Sequence, residues 1–264
     1  MLDKNQGNTN IKSIEQYSLW KILLIWALAT VPMGLLAWVI YPTLEPRMKM
    51  ESGIFLWILM IIGLMWQVAL SFIILYREHG TLRPSAIRYR TWRQHPRDPK
   101  TGQPRAILWL WLIPGLAVSA VLAIVVGSEI QKAWTSVIPF FSVPPGYDLQ
   151  DLTNTPGKWV GAWFLIGLVL VHIVGNYLYG EEFLFRSILL PKMKGVFGKW
   201  DWLANAVLFG LYHVSKPWGI PSSILTGIVY AYPSRRFRST WFGVIIHGAD
   251  GLFFLFIMIS LVLG

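Results

Sequence analysis

The chain has 264 residues, of which 55% are hydrophobic and only 14% charged. A soluble globular protein carries about 25% charged residues, so a substantial water-soluble domain is excluded. The net charge of +10 raises nucleic acid as a partner, while the absence of cysteine excludes disulfides, thiol catalysis and Cys-ligated zinc.

In chain order, a polar tail (1–18) precedes a first apolar run, Leu19–Ile40. It contains Ala27-Leu28-Ala29, which resembles a signal-peptidase site, but the run is too long for a signal h-region and reads as a retained helix. Further runs at Ile54–Tyr76, Ile107–Val126, Trp159–Tyr179 and Trp241–Leu263 reach or approach the length that crosses a bilayer, about 20 residues for ~30 Å of hydrocarbon. Helices one (19–41) and two (54–76) are apolar almost all round and read as scaffold. A basic loop, 77–105, carries Pro84, Pro96, Pro99 and Pro104; helix three (106–127) leads to an outer loop, 128–157, rich in proline and aromatics. Residues 19–158 thus form an N-terminal membrane part.

Residues 159–264 read differently. Helix four starts near Trp159, continues past Glu181-Glu182 and stops at Pro191; two shorter segments, 203–214 and 221–233, are separated by Pro217 and Pro221. Counting both, the expected fold is an all-α polytopic transmembrane helical bundle of about seven spans, without an internal repeat.

The basic residues sort by loop. With the N-terminus inside, the inner segments hold Lys4, Lys12 and Lys21, eight Lys and Arg between Arg77 and Arg105, then Arg186, Lys192, Lys194, Lys199, Arg235, Arg236 and Arg238. The outer segments hold Arg47, Lys49, Lys132, Lys158 and Lys216. This asymmetry obeys the positive-inside rule. Membrane topology therefore accounts for the charge, and the bilayer replaces nucleic acid as the expected partner. The expected location is the plasma (cytoplasmic) membrane, with a cytoplasmic N-terminus.

The C-terminal part also carries His172, Glu181, Glu182, Arg186, His213, His247 and Asp250 within or beside its apolar segments. Such groups are costly in a bilayer, at least ~2.5–3.5 kcal/mol for Asp, Lys or Arg at a helix centre. Arg186 can snorkel to the interface and pair with Glu182, and His172 falls near the outer end of helix four, so both are explained without function. Glu181, His213 and His247 differ. At ~1.5 Å per residue they lie roughly 15, 16 and 13 Å from the inner ends of three separate helices, a common depth.

A carboxylate beside a histidine can hold and deprotonate a water, and a second histidine can donate to an oxyanion. Glu181, His213 and His247 are equally candidate ligands for Zn2+, and three ligands plus a water would make a catalytic zinc site. Neither His-Glu-x-x-His nor Gly-x-Ser-x-Gly occurs, which argues against zincin-like, site-2-like and rhomboid-like chemistry.

Three motifs in order, Glu181-Glu182-Phe183-Leu184-Phe185-Arg186, Phe209-Gly210-Leu211-Tyr212-His213 and His247-Gly248-Ala249-Asp250-Gly251, resemble those of the CPBP (CAAX protease and bacteriocin-processing, or Abi) intramembrane proteases. The resemblance spans roughly 159–260 and implies an endopeptidase, sunk in the membrane and open to the cytoplasm, acting on a peptide or protein in or near the bilayer. By that resemblance Glu181 is the general base acting with His213, Glu182 and Arg186 orient the first motif, and His247 stabilises the oxyanion. Where the family often has Asn, four residues after the third-motif histidine, this chain has Gly251, with Asp250 one position early. Asp250 could orient His247 or ligate a metal. Asn205, which stacks with Phe209 and His213 at i, i+4 and i+8, is a candidate substitute amide donor. The altered third motif leaves a second reading, a non-catalytic scaffold or an immunity or accessory protein that keeps the fold. A proton-coupled transporter is the weaker third, because no repeat is present.

Overall fold

The computed structural model describes residues 14–147 and 149–264. Seven helices carry the fold: α1 (Leu19–Arg47), α2 (Ser52–His79), α3 (Ala106–Val137), α4 (Phe164–Lys192), α5 (Asp201–Tyr212), α6 (Ile220–Arg236) and α7 (Trp241–Leu263). Helix is what such a sequence must form in lipid, where every backbone N–H and C=O has to be satisfied within its own segment. Five of the seven, α1 to α4 and α7, are long and apolar enough to span a bilayer. The all-helical bundle expected from the sequence is what forms, and the protein is an integral membrane protein.

α5 is 12 residues long, about 18 Å at ~1.5 Å per residue, too short to cross alone. It ends inside the bundle, and residues 213–219 complete the passage before α6 returns. Small residues let this pair approach closely. A Cβ on Gly210 would lie 2.1 Å from Ile224 Cγ1, and one on Gly227 would lie 3.2 Å from the Ala206 carbonyl oxygen.

Three boundaries differ from expectation. α3 runs on to Val137, because Gly127–Val137 continues the helix with the Glu129–Lys132 pair on its surface; the outer loop therefore starts ten residues later. The polar tail is shorter than residues 1–18. Residues 1–13 lie outside the described residues, but Tyr17 is packed, its N–H donating to the Lys192 carbonyl at 2.9 Å, and Ser18 caps α1. The basic loop is folded against the bundle. Thr240 N–H donates to the Trp92 carbonyl (3.0 Å), Arg97 N–H to the Phe237 carbonyl (2.8 Å), and Ser239 Oγ to the Gln94 carbonyl (2.6 Å). Arg93 lies over the rings of Tyr179, Phe183 and Trp241 and donates to the Leu178 carbonyl. These contacts close the end of the bundle that carries the basic loop.

Candidate active site

α4 is broken at Gly180, whose backbone leaves helical geometry (φ −97°, ψ −103°). Only glycine fits there, since a Cβ would lie 2.0 Å from the Gly175 carbonyl oxygen. The break sets Glu181 and Glu182 in different surroundings. Glu181 points into a cavity of about 440 Å3, lined also by Asn176, Tyr177, Tyr212, His213, His247 and Asp250, with His172 and Trp57 higher on its wall. Glu182 turns away from that cavity and is fully buried.

Asn176, one turn before the break, supports Glu181. A carboxylate can only accept, so the amide nitrogen faces it and reaches its two oxygens at 2.9 and 3.3 Å. His213 sits just past the end of α5, out of helical geometry (φ −75°, ψ 39°). Its Nδ1 is 2.8 Å from the Phe209 carbonyl oxygen, which can only accept. The proton is thus on Nδ1, and Nε2 is the acceptor of the neutral ring. The ring is wedged edge-on between Phe209 and Tyr212.

The third centre is a largely buried chain of ionisable groups. His247 Nδ1 lies 3.0 Å from Glu182 Oε1, and the same oxygen is 3.4 Å from Arg186 Nη1. Gly243 makes room for the carboxylate, for a Cβ there would lie 2.2 Å from Glu182 Oε2. Arg186 does not snorkel, contrary to expectation. It has no exposed surface, sits 3.9 Å from the centre of the Phe209 ring and is anchored between Glu182 and the Gly227 carbonyl. A paired, ring-stacked guanidinium is retained inside because leaving would strand Glu182.

The structure therefore brings Glu181, His213, His247 and Asp250 to one cavity and places Glu182, Arg186 and Phe209 directly behind it. Asp250 reaches His247 indirectly. It accepts from Tyr230 Oη at 3.1 Å, and Tyr230 stacks on His247 with ring centres 4.7 Å apart. Asn205 is a correction. Its amide nitrogen donates to the Phe185 carbonyl at 2.8 Å, two turns below His213 and outside the cavity lining, so it is not disposed to replace the missing amide. The zinc ligand set is another. Among the described residues no three or more His, Asp and Glu side chains are arranged to hold a metal ion.

Asn176, Tyr177, Tyr212 and Lys216 line the cavity although the sequence pattern assigns them no role, and His172, explained from sequence without function, lines it as well. A signal existed for Tyr177, which lies one turn before Glu181 (i, i+4). Its ring meets His247 edge-on at 4.6 Å and fills the space beside Gly251, where a Cβ would lie 2.1 Å from Tyr177 Cε2. An Asn at 251 would therefore require the Tyr177 ring to move aside.

A membrane-spanning helical bundle whose carboxylates and imidazoles are withdrawn into a polar cavity defines the class of protein. The particular family comes from the sequence: the model for "Type II CAAX prenyl endopeptidase Rce1-like" matches residues 158–253, which hold all three motifs. The match agrees with the CPBP resemblance of the three motifs, and the family it describes is one of CAAX-type proteases. No curated protein and no solved structure matches the chain.

Proposed function

We propose that the protein is an intramembrane endopeptidase that hydrolyses a peptide bond of a membrane-associated polypeptide with a water activated by Glu181 and His213. The observation that carries this reading is the arrival of Glu181, His213 and His247, from three different helices, on one cavity. Its volume, about 440 Å3, lies within the range of small-ligand sites and suits a short extended segment.

In this reading the water sits between Glu181 and His213 Nε2. Its oxygen attacks the scissile carbonyl carbon while Glu181 takes a proton. The tetrahedral oxyanion receives hydrogen bonds from His247 Nε2, with Glu182 as counter-charge on the other ring nitrogen, and from the Tyr177 hydroxyl, which takes the place of the family's usual amide. The proton on Glu181 then passes to the leaving amide nitrogen as the C–N bond breaks, giving a carboxylic acid and an amine; the acid's remaining proton moves to the amine, and the products leave as carboxylate and ammonium. Glu182, Arg186, Tyr230 and Asp250 act as positioning residues for His247. The non-catalytic reading draws on the altered third motif, Asp250-Gly251, and the Tyr177 ring supplies a steric reason for the glycine.

The test exposes purified protein to a library of membrane-segment peptides, with and without chelator, against Glu181→Gln. Cleavage by the wild type that persists with chelator and vanishes in the variant is expected. Equal cleavage by Glu181→Gln would overturn the reading, and loss on chelation would overturn the metal-free version of it.

A further inference from the structure

The family resemblance implies a site open to the cytoplasm, and the charge pattern places the basic loop 77–105 in the cytoplasm. The geometry of the cavity sets these two expectations against each other.

The cavity runs towards the end of the bundle opposite that loop. Its upper lining comes from Gly53 at the outer start of α2, Tyr147 of the outer loop, and Ser215, Lys216 and Trp218 of the α5–α6 connection. Among the described residues, none of 77–105, 193–201 or 234–240, the inner connections, lines it. Below the catalytic candidates the bundle is closed. Arg186, Phe209, Tyr230, Phe237 and Phe242 are each at most 2% exposed, and the basic loop is hydrogen-bonded across them at Trp92, Gln94 and Arg97. The cavity has its floor towards the basic end and its mouth at the other.

Which end is cytoplasmic follows from lysine and arginine in short loops. With the buried Arg186 set aside, the end bearing loop 77–105 still holds most of the Lys and Arg, while the mouth end holds Arg47, Lys49, Lys132, Lys158 and Lys216. Two of those five are paired locally, Lys132 with Glu129 and Lys158 with Glu51. Lys216 is exposed at the rim, and a second cleft of about 530 Å3 beside it shares Lys216 and Trp218 and adds Lys132.

We infer that the cavity opens on the non-cytoplasmic face of the membrane, and that its substrates are polypeptide segments presented from that side: extended, mainly apolar, with an anionic group accommodated at the Lys216 rim. A lipid-modified C-terminus displayed in the cytoplasm would approach the closed end. The term substrate rests on the peptidase reading above; the orientation does not.

The chain lacks cysteine, so each engineered thiol is the only one present. Lys216→Cys marks the mouth, Ser128→Cys the exposed outer surface of α3, and Thr101→Cys the exposed basic loop. In intact cells, a membrane-impermeant maleimide is expected to label the first two to the same extent as after permeabilisation, and to label Thr101→Cys only after permeabilisation. Labelling of Thr101→Cys alone in intact cells, or of all three, would overturn the orientation. Labelling of Ser128→Cys without Lys216→Cys under either condition would overturn the open mouth. Labelling needs no catalysis, so failure here is separable from failure of the peptidase reading, which Glu181→Gln decides.

Discussion

Glu78 and Glu181 are both withdrawn from solvent among helices, and they differ in what answers their charge. Glu78 Oε1 accepts from Tyr17 Oη at 2.6 Å and from Lys21 Nζ at 2.7 Å, and Oε2 pairs with Lys192. Burial and the Glu78 carboxylate hold the Tyr17 phenol far above the ordinary tyrosine range, so it stays a neutral donor. The cluster ties the segment before α1, the end of α2 and the end of α4 at the end of the bundle that carries the basic loop. Glu181, by contrast, has the Asn176 amide at its back and faces the cavity with its remaining accepting capacity. A carboxylate saturated with cationic donors fastens helices together; one met by the Asn176 amide and the Tyr212 hydroxyl, with no lysine or arginine on it, keeps capacity to take up a water beside a histidine.

That contrast can be sharpened by mutation. The largest effects belong to the cavity. His213→Ala should lower turnover by roughly 10²–10⁴-fold, the range of a positioned proton acceptor, with the melting temperature nearly kept. Tyr177→Phe should lower kcat by about 10²-fold with KM unchanged, as for one lost oxyanion donor. Full activity in this variant would return the donor role to another group. Gly243→Ala acts behind the cavity. Its Cβ displaces the Glu182 carboxylate, so a loss of about 1–3 kcal/mol in stability should accompany reduced turnover, read by thermal unfolding and peptide cleavage on the same sample. Asn205→Ala should show the smallest catalytic effect. The Phe185 carbonyl loses its donor at a cost of about 1–3 kcal/mol, and cleavage per folded molecule stays at the wild-type level.

Much of the fold was legible in sequence because lipid leaves few options. Apolar runs of sufficient length must be helices, and the basic residues mark one end. The motif residues were legible as expensive groups at a shared depth. What was not legible depended on register and partners. Arg186 reads from sequence as able to reach water, but Phe209 and Glu182 enclose it. Asn205 shares a helical face with His213 in sequence, but α5 ends at Tyr212 and turns His213 towards the cavity while Asn205 stays below, on the Phe185 carbonyl. The Tyr177–Gly251 fit joins two helices far apart in the chain, so no single-segment pattern reveals it.

The most direct measurement sets Glu181→Gln beside Glu78→Gln, scoring peptide cleavage and thermal unfolding for both. Glu181→Gln should abolish cleavage with an unfolding midpoint close to wild type. Glu78→Gln should lower the midpoint, by about 1–3 kcal/mol of stability, and leave turnover per folded molecule unchanged. The opposite pattern, with cleavage surviving at Glu181→Gln and lost at Glu78→Gln, would contradict the assignment of chemistry to the cavity.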